Sequence, residues 1–133
     1  MRRRTFLALI AGTGSLAVAG CSTLSDVSSD RGSGVIVSYA APFDQVWAAL
    51  PELLKELGMR VTKDNMAEGV MQAEEGSGFG TGVSTVIFVE RIGTRGNCRV
   101  EVVSKGTFGV NLSGFTDGPK SVHDRLAQRF RRL

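Results

Sequence analysis

Few residues in this chain are of types that do chemistry: Cys21 and Cys98, the single histidine His123, and the alternating glycines Gly76, Gly78, Gly80 and Gly82. Histidine is the usual general base near neutral pH, but it works as one only with a partner and a substrate pocket. His123 stands beside Asp124 in a helical pattern, and its expected place is the helix surface. A zinc site needs three or four ligands at suitable spacing. One histidine and one strand cysteine do not supply them, so no metal is expected. A dinucleotide loop follows a strand and opens a helix whose amides hold the phosphate. These glycines lead instead into the β-branched run Val83 to Glu90, which makes them a hairpin loop, and no cofactor is expected. Asp44, Asp64 and Asp117 stand at helix starts or turns, where carboxylates have structural uses. Ser104, Ser113 and Ser121 lack the G-x-S-x-G setting of an activated serine. The expectation is a protein that is not an enzyme.

Cys21 carries a different kind of chemistry. Before it come Arg2, Arg3 and Arg4, then a weakly apolar stretch from Phe6 to Gly20 that ends in the small residues Ala19 and Gly20. That order marks an export signal. A spanning helix needs about 20 apolar residues; this stretch is shorter, and Gly12-Thr13-Gly14-Ser15 interrupts it. Val18-Ala19-Gly20-Cys21 resembles the lipobox of bacterial lipoproteins. The resemblance implies cleavage before Cys21, a diacylglyceryl thioether on its sulfur, and often a third acyl chain such as palmitate on the new amino group. Each buried CH₂ contributes roughly 0.8 kcal/mol, so two or more chains anchor a protein stably in the lipid bilayer. Arg3-Arg4-Thr5-Phe6-Leu7 also resembles the core of a twin-arginine export motif. Arg2 departs from that motif, and an ordinary secretory signal is the alternative. Ser22 is not the Asp that holds enterobacterial lipoproteins at the inner membrane, so the resemblance favours the outer membrane over the inner, in either case on the exported side.

The charge balance follows from that cleavage. The chain has 16 Lys+Arg and 13 Asp+Glu; residues 1–20 contain three arginines and no acids, so the mature chain has 13 of each. A nucleic-acid binder shows a clustered basic excess with stacking aromatics, so no nucleic-acid partner is expected. Arg125, Arg129, Arg131 and Arg132 cluster at a helix end, where the helix dipole favours cations; membrane or partner contact is the other reading. With Cys21 lipidated, Cys98 has no partner within the chain and is expected to be buried as a small hydrophobe.

The elements that would position these groups read clearly. Residues 1–20 are the signal. Residues 21–34 are the lipidated cysteine and a Ser/Gly/Asp-rich tether with too little apolar surface to fold. Residues 35–133 form a single domain, long enough for one core. Val35 to Tyr39 reads as a strand. Pro42 opens a helix whose apolar face is Phe43, Val46, Trp47, Leu50, Leu53, Leu54 and Leu57, and Gly58 stops it. The period then changes to two: Met59, Val61 and Lys63 alternate with Arg60 and Thr62. Val70 to Ala73, Val83 to Glu90 and Cys98 to Lys105 are further strands, the last with Arg99, Glu101 and Lys105 facing out. Pro119 opens a last helix with the stripe Val122, Leu126, Phe130 and Leu133. The order β-α-β-β-β-β-α, with hairpin-length turns, predicts an antiparallel sheet of about five strands carrying two helices on one face, an α+β fold.

Tyr39-Ala40-Ala41-Pro42-Phe43-Asp44-Gln45-Val46-Trp47, then Leu57-Gly58-Met59-Arg60-Val61, then Asp64 and Glu68-Gly69-Val70-Met71 resemble a group of small bacterial lipoproteins and, in outline, the domains of the BamC family of the outer-membrane assembly machine. The chain departs from BamC in having one domain and a shorter tether. What the resemblance implies is the helix-on-sheet fold. From these features the expected function is a membrane-anchored, non-enzymatic protein-interaction or scaffolding module with an envelope protein partner. The alternative is a carrier or sensor of a small apolar ligand or lipid held between helix and sheet, beneath Trp47. Gly106 to Gly118 is a long apolar loop, and Phe108 and Phe115 are its candidate partner contacts.

Overall fold

The computed structural model describes residues 30–75, 83–106, 111–113 and 117–133. Five strands and two helices follow one another as β1 (Val35–Tyr39), α1 (Phe43–Glu56), β2 (Met59–Asn65), β3 (Val70–Glu75), β4 (Val83–Ile92), β5 (Asn97–Lys105) and α2 (Gly118–Arg129). The strands form one antiparallel sheet in the order β1-β5-β4-β3-β2. Consecutive strands from β2 to β5 pair as hairpins, while β1 crosses to the far edge and pairs with β5. This is the α+β architecture that the pattern of periods predicts.

The alternation of each strand sorts its side chains between two faces. Tyr39, Met71, Ile87, Cys98, Val100 and Val102 point to the helix side and are buried there. Above them α1 lays down Phe43, Val46, Trp47, Leu50, Leu53 and Leu54, and α2 adds Val122 and Leu126. Phe43 and Trp47 stack with ring centroids 5.5 Å apart. Pro42 is the N-cap of α1 and its carbonyl accepts from the Val46 amide at 3.2 Å. The helix runs on through Pro51, whose ring lies on the solvent side.

Three departures from the sequence expectation have local causes. Between Val61 and Lys63 the β2 register slips, so Lys63 pairs with Gln72 and changes face. A bulge of this kind blunts an edge strand, and Arg60 and Lys63 add charge to the same edge. Secondly, α2 ends at Arg129, and residues 131–133 run alongside β1. The Ala40 amide donates to the Arg131 carbonyl at 2.8 Å and the Leu133 amide to Ser38 at 3.0 Å. The expected stripe is therefore cut short: Phe130 packs only at the core's margin, and Leu133 is exposed. Thirdly, residues 30–34, read as flexible tether, fold back over the sheet.

Candidate functional site

The second face of the sheet, opposite the helices, is where polar and apolar groups converge. Val86 pairs with Val103 and Phe88 with Glu101 across β4 and β5, so all four share that face. Val70, Val86, Phe88 and Val103 form a small buried cluster of their own. Residues 30–34 lie against this face as a strap. Gly32 donates its amide to both Glu101 carboxylate oxygens, at 2.8 and 2.7 Å, and Gly34 donates to Oε2 at 3.0 Å. Lys105 Nζ meets Asp30 Oδ2 at 2.6 Å in a half-sheltered pair. The Arg31 guanidinium sits 4.6 Å from the centre of the Phe88 ring and donates to the Glu68 carbonyl. Glycine is required at position 34 because a Cβ there would lie 2.3 Å from the Val102 carbonyl oxygen.

Glu101 is thus not the outward-facing charge that alternation suggests: it is 7% exposed. Alternation gives its face correctly. Its burial comes from a segment 67 to 69 residues away in sequence. Hydrogen bonds from amide N–H groups to a carboxylate are charge-assisted and about twice as strong as neutral ones, and they offset the cost of burying the charge. Beside the strap lies a cleft of about 310 Å³ between Arg31, Ile36, Phe88 and the Glu90–Arg99 ion pair. Residues 111–113 flank the strap at the other end of β5: the Ser104 amide donates to Ser113 Oγ at 2.9 Å, and Asn111 Nδ2 donates to the Ser33 carbonyl at 3.1 Å.

On the helix side, His123 is 2% exposed, a correction to its expected surface position. Its Nε2 lies 2.8 Å from the Val35 carbonyl oxygen and its Nδ1 2.7 Å from the Tyr39 hydroxyl. A carbonyl only accepts, so Nε2 carries the proton and Nδ1 accepts from Tyr39. Both ring nitrogens are committed to holding α2 on β1. Burial pushes the Tyr39 hydroxyl up to about 12 and pulls the imidazole below its ordinary 6.5. Cys98 is fully buried next to Tyr39 in the sheet, as expected of a core cysteine, and burial pushes its thiol up to about 11. A nucleophilic cysteine needs a depressed pKa. Cys98 is therefore expected to resist alkylation by iodoacetamide in the native protein at pH 8 and to react fully in denaturant; native modification within minutes would contradict this placement.

The basic helix end is largely neutralised within the fold. Arg125 meets Glu56 at 2.9 Å, Arg129 lies within 3.5 Å of Glu52 and Glu56, and Arg132 meets Asp124 at 3.3 Å. The pairs with Glu52 and Glu56 link α2 to α1, and Arg132–Asp124 ties the C-terminal segment to α2, each at modest gain. Beneath Trp47, where the carrier reading needs a cavity, Leu50, Leu53, Leu54, Ile87 and Val100 are buried in one continuous cluster. A second cleft, of about 270 Å³, lies instead between the end of α1 and the start of α2, lined by Met59, Thr85, Ser104, Asp117 and Ser121. Among the described residues no three His, Cys, Asp or Glu converge on a metal position, and no helix is long and apolar enough to cross a membrane. Cys21, the export-motif residues Arg3, Arg4, Phe6 and Leu7, and the loop residues Phe108 and Phe115 lie outside the described residues.

The outer membrane protein assembly factor BamC-like C-terminal domain matches residues 25–85, which take in the strap, β1, α1, β2 and β3. No curated protein matches the chain. Among solved structures, a DUF4468 family protein from Bacteroides ovatus is 18% identical over 65% of this chain, with a TM-score of 0.28. That alignment spans 66% of the other protein, just under two thirds of its length.

Proposed function

We propose that this protein is an envelope lipoprotein of outer-membrane protein assembly, anchored through acylated Cys21 and acting as a non-enzymatic protein-interaction module. The observation that carries the reading is the match of residues 25–85 to the BamC-like C-terminal domain. The lipobox at Val18-Ala19-Gly20-Cys21 supports the anchor. The fold supports the binding role in a specific way. His123, Tyr39 and Cys98 are the groups best suited to proton transfer or nucleophilic attack, and all three are buried in structural contacts. What remains for work among the described residues is the strapped second face; Phe108 and Phe115, which lie outside them, are the contact candidates that the sequence offers.

The test is made on tagged full-length protein in detergent-solubilised membranes. Cys21→Ser is expected to move the protein from the membrane to the soluble exported fraction. The wild type is expected to co-isolate components of the outer-membrane assembly machinery. Phe108→Ser with Phe115→Ser should lose them while keeping the wild-type melting curve. A membrane fraction unchanged by Cys21→Ser would overturn the anchor. Isolation without any assembly component would overturn the assembly role.

A further inference from the structure

We infer that the docked strap turns the second face of the sheet, with Ile36 and the Arg31–Phe88 cleft, onto the surface of the lipid bilayer and leaves α1 and α2 facing away from it. The inference rests on the reading of Cys21 as the lipid-bearing residue. Its own content is geometric. Nine residues, 21–29, separate Cys21 inclusive from Asp30. Any nine-residue lead reaches at most about 30 Å when fully extended, and a random chain of that length spans about 15–18 Å.

The lead reaches the domain at Asp30, which is fixed to Lys105 on the second face. From there Arg31 crosses to Phe88, and Gly32 and Gly34 are held by Glu101, all on the same face. A five-stranded sheet is about 20 Å wide at the usual strand spacing, and a helix layer adds about 10 Å of thickness. To lay the helices on the bilayer, the lead would have to round the sheet edge and cross the helix layer, which consumes most of its extended length at a large cost in chain entropy. Laying down the second face needs no such detour. Charge does not decide the orientation: Arg31 and Arg99 are balanced at the cleft by Glu90 and Glu101. Ile36 is half exposed at the rim and suits the interfacial zone.

Because the strap sets the orientation, releasing it should abolish the preference. Lipidated full-length protein is placed in neutral phosphatidylcholine vesicles with doxyl-labelled lipid, and one introduced cysteine carries a small fluorophore. Cys98 is buried, and the Cys21 sulfur is a thioether on this reading, so the label goes where it is placed. The label at Ile36→Cys, on the second face, is expected to be quenched several-fold more than the label at Ala48→Cys, exposed on α1. Glu101→Gln, or Gly34→Ala where the glutamine variant keeps the strap, should bring the two within twofold. Hydrogen exchange at the Gly32 and Gly34 amides reports strap release independently of the core. Equal or reversed quenching in protein that floats with the vesicles overturns the inference alone, and so does a difference that survives strap release. Protein that does not float overturns the anchor reading and this orientation with it.

Discussion

Gly69→Ala is expected to lower stability by about 3 kcal/mol, taking roughly 15 °C off the melting midpoint of a domain this size. Gly69 closes the turn between β2 and β3 with φ of +66°. A left-handed conformation costs a residue with a Cβ roughly 1–2 kcal/mol. Space adds a second cost. The Gly69 carbonyl accepts from the Val89 amide at 2.8 Å, and a Cβ on residue 69 would lie 2.3 Å from the Val89 carbonyl oxygen. That atom belongs to the backbone of the central strand β4 and cannot rotate away. The same Cβ would lie 3.7 Å from the Phe43 ring, which is held between Trp47 and the Arg91 guanidinium 4.1 Å above it. Displacement therefore spreads into the first turn of α1. Gly93→Ala is the control: its φ is +62°, but a Cβ there meets nothing within 4 Å. It should cost only about 1 kcal/mol, the conformational share alone. Denaturant titration of both variants in the soluble Cys21→Ser background separates the two terms, and a Gly69→Ala loss no larger than that of Gly93→Ala would refute the close-approach argument.

The same residue illustrates what a sequence exposes and what it conceals. Glu68-Gly69 is legible as a turn, and the turn is there, with Asn65 Oδ1 accepting from the Glu68 amide. The contact of Gly69 with Val89 is not legible, because it depends on which strand lies beside the turn. The pattern recurs through the molecule. Period and punctuation are local properties, and α1 with its Gly58 stop, the hairpins and the two-layer plan follow from them. The bulge after Val61 escapes because it changes a register without breaking the alternation of residue types. His123 escapes for a related reason. It neighbours Val122 on the shoulder of the α2 stripe, and only the nearness of edge strand β1 decides that the shoulder is covered. Gly32-Ser33-Gly34 reads as flexible because glycine lacks side-chain contacts, yet glycine's bare amides are what a buried carboxylate needs. The clue available was the pairing of Glu101 with Phe88 on one face, an acid among apolar neighbours that requires a donor from elsewhere.

His123→Leu should cost about 2 kcal/mol at pH 7, because it breaks the side-chain hydrogen bonds that tie α2 to two polar groups of β1. The Val35 carbonyl loses its donor, and the Tyr39 hydroxyl keeps only its longer 3.3 Å bond to the backbone carbonyl of residue 123; an unsatisfied buried group costs about 1–3 kcal/mol. Adding Tyr39→Phe should recover part of the loss, since the hydroxyl then no longer needs a partner; the double variant falls short of the sum of the singles. The wild type adds a pH signature with a definite sign. Burial, the largest cause, holds the folded-state imidazole below its ordinary 6.5. Above pH 6.5 neither state binds the proton and stability is at its full value. As pH falls below 6.5 the unfolded chain takes up a proton that the folded one refuses, so stability declines, approaching about 1.4 kcal/mol per pH unit for one proton. The decline levels off once pH passes the lower folded-state value. Arg132 acts in the same direction as burial, while the Val35 hydrogen bond and Asp124 oppose it. Asp124, held below its usual range chiefly by its hydrogen bond from Lys120, contributes stability that is lost only at more acid pH, as the pH falls through its folded value. His123 is the chain's one histidine, so the window just below pH 6.5, above the carboxylate range, is the imidazole's own. Urea midpoints across that window should fall for the wild type and stay flat for His123→Leu. A wild-type profile as flat as the variant's would mean that the imidazole protonates freely in the fold and that its hold on Tyr39 and Val35 is not the neutral pair described.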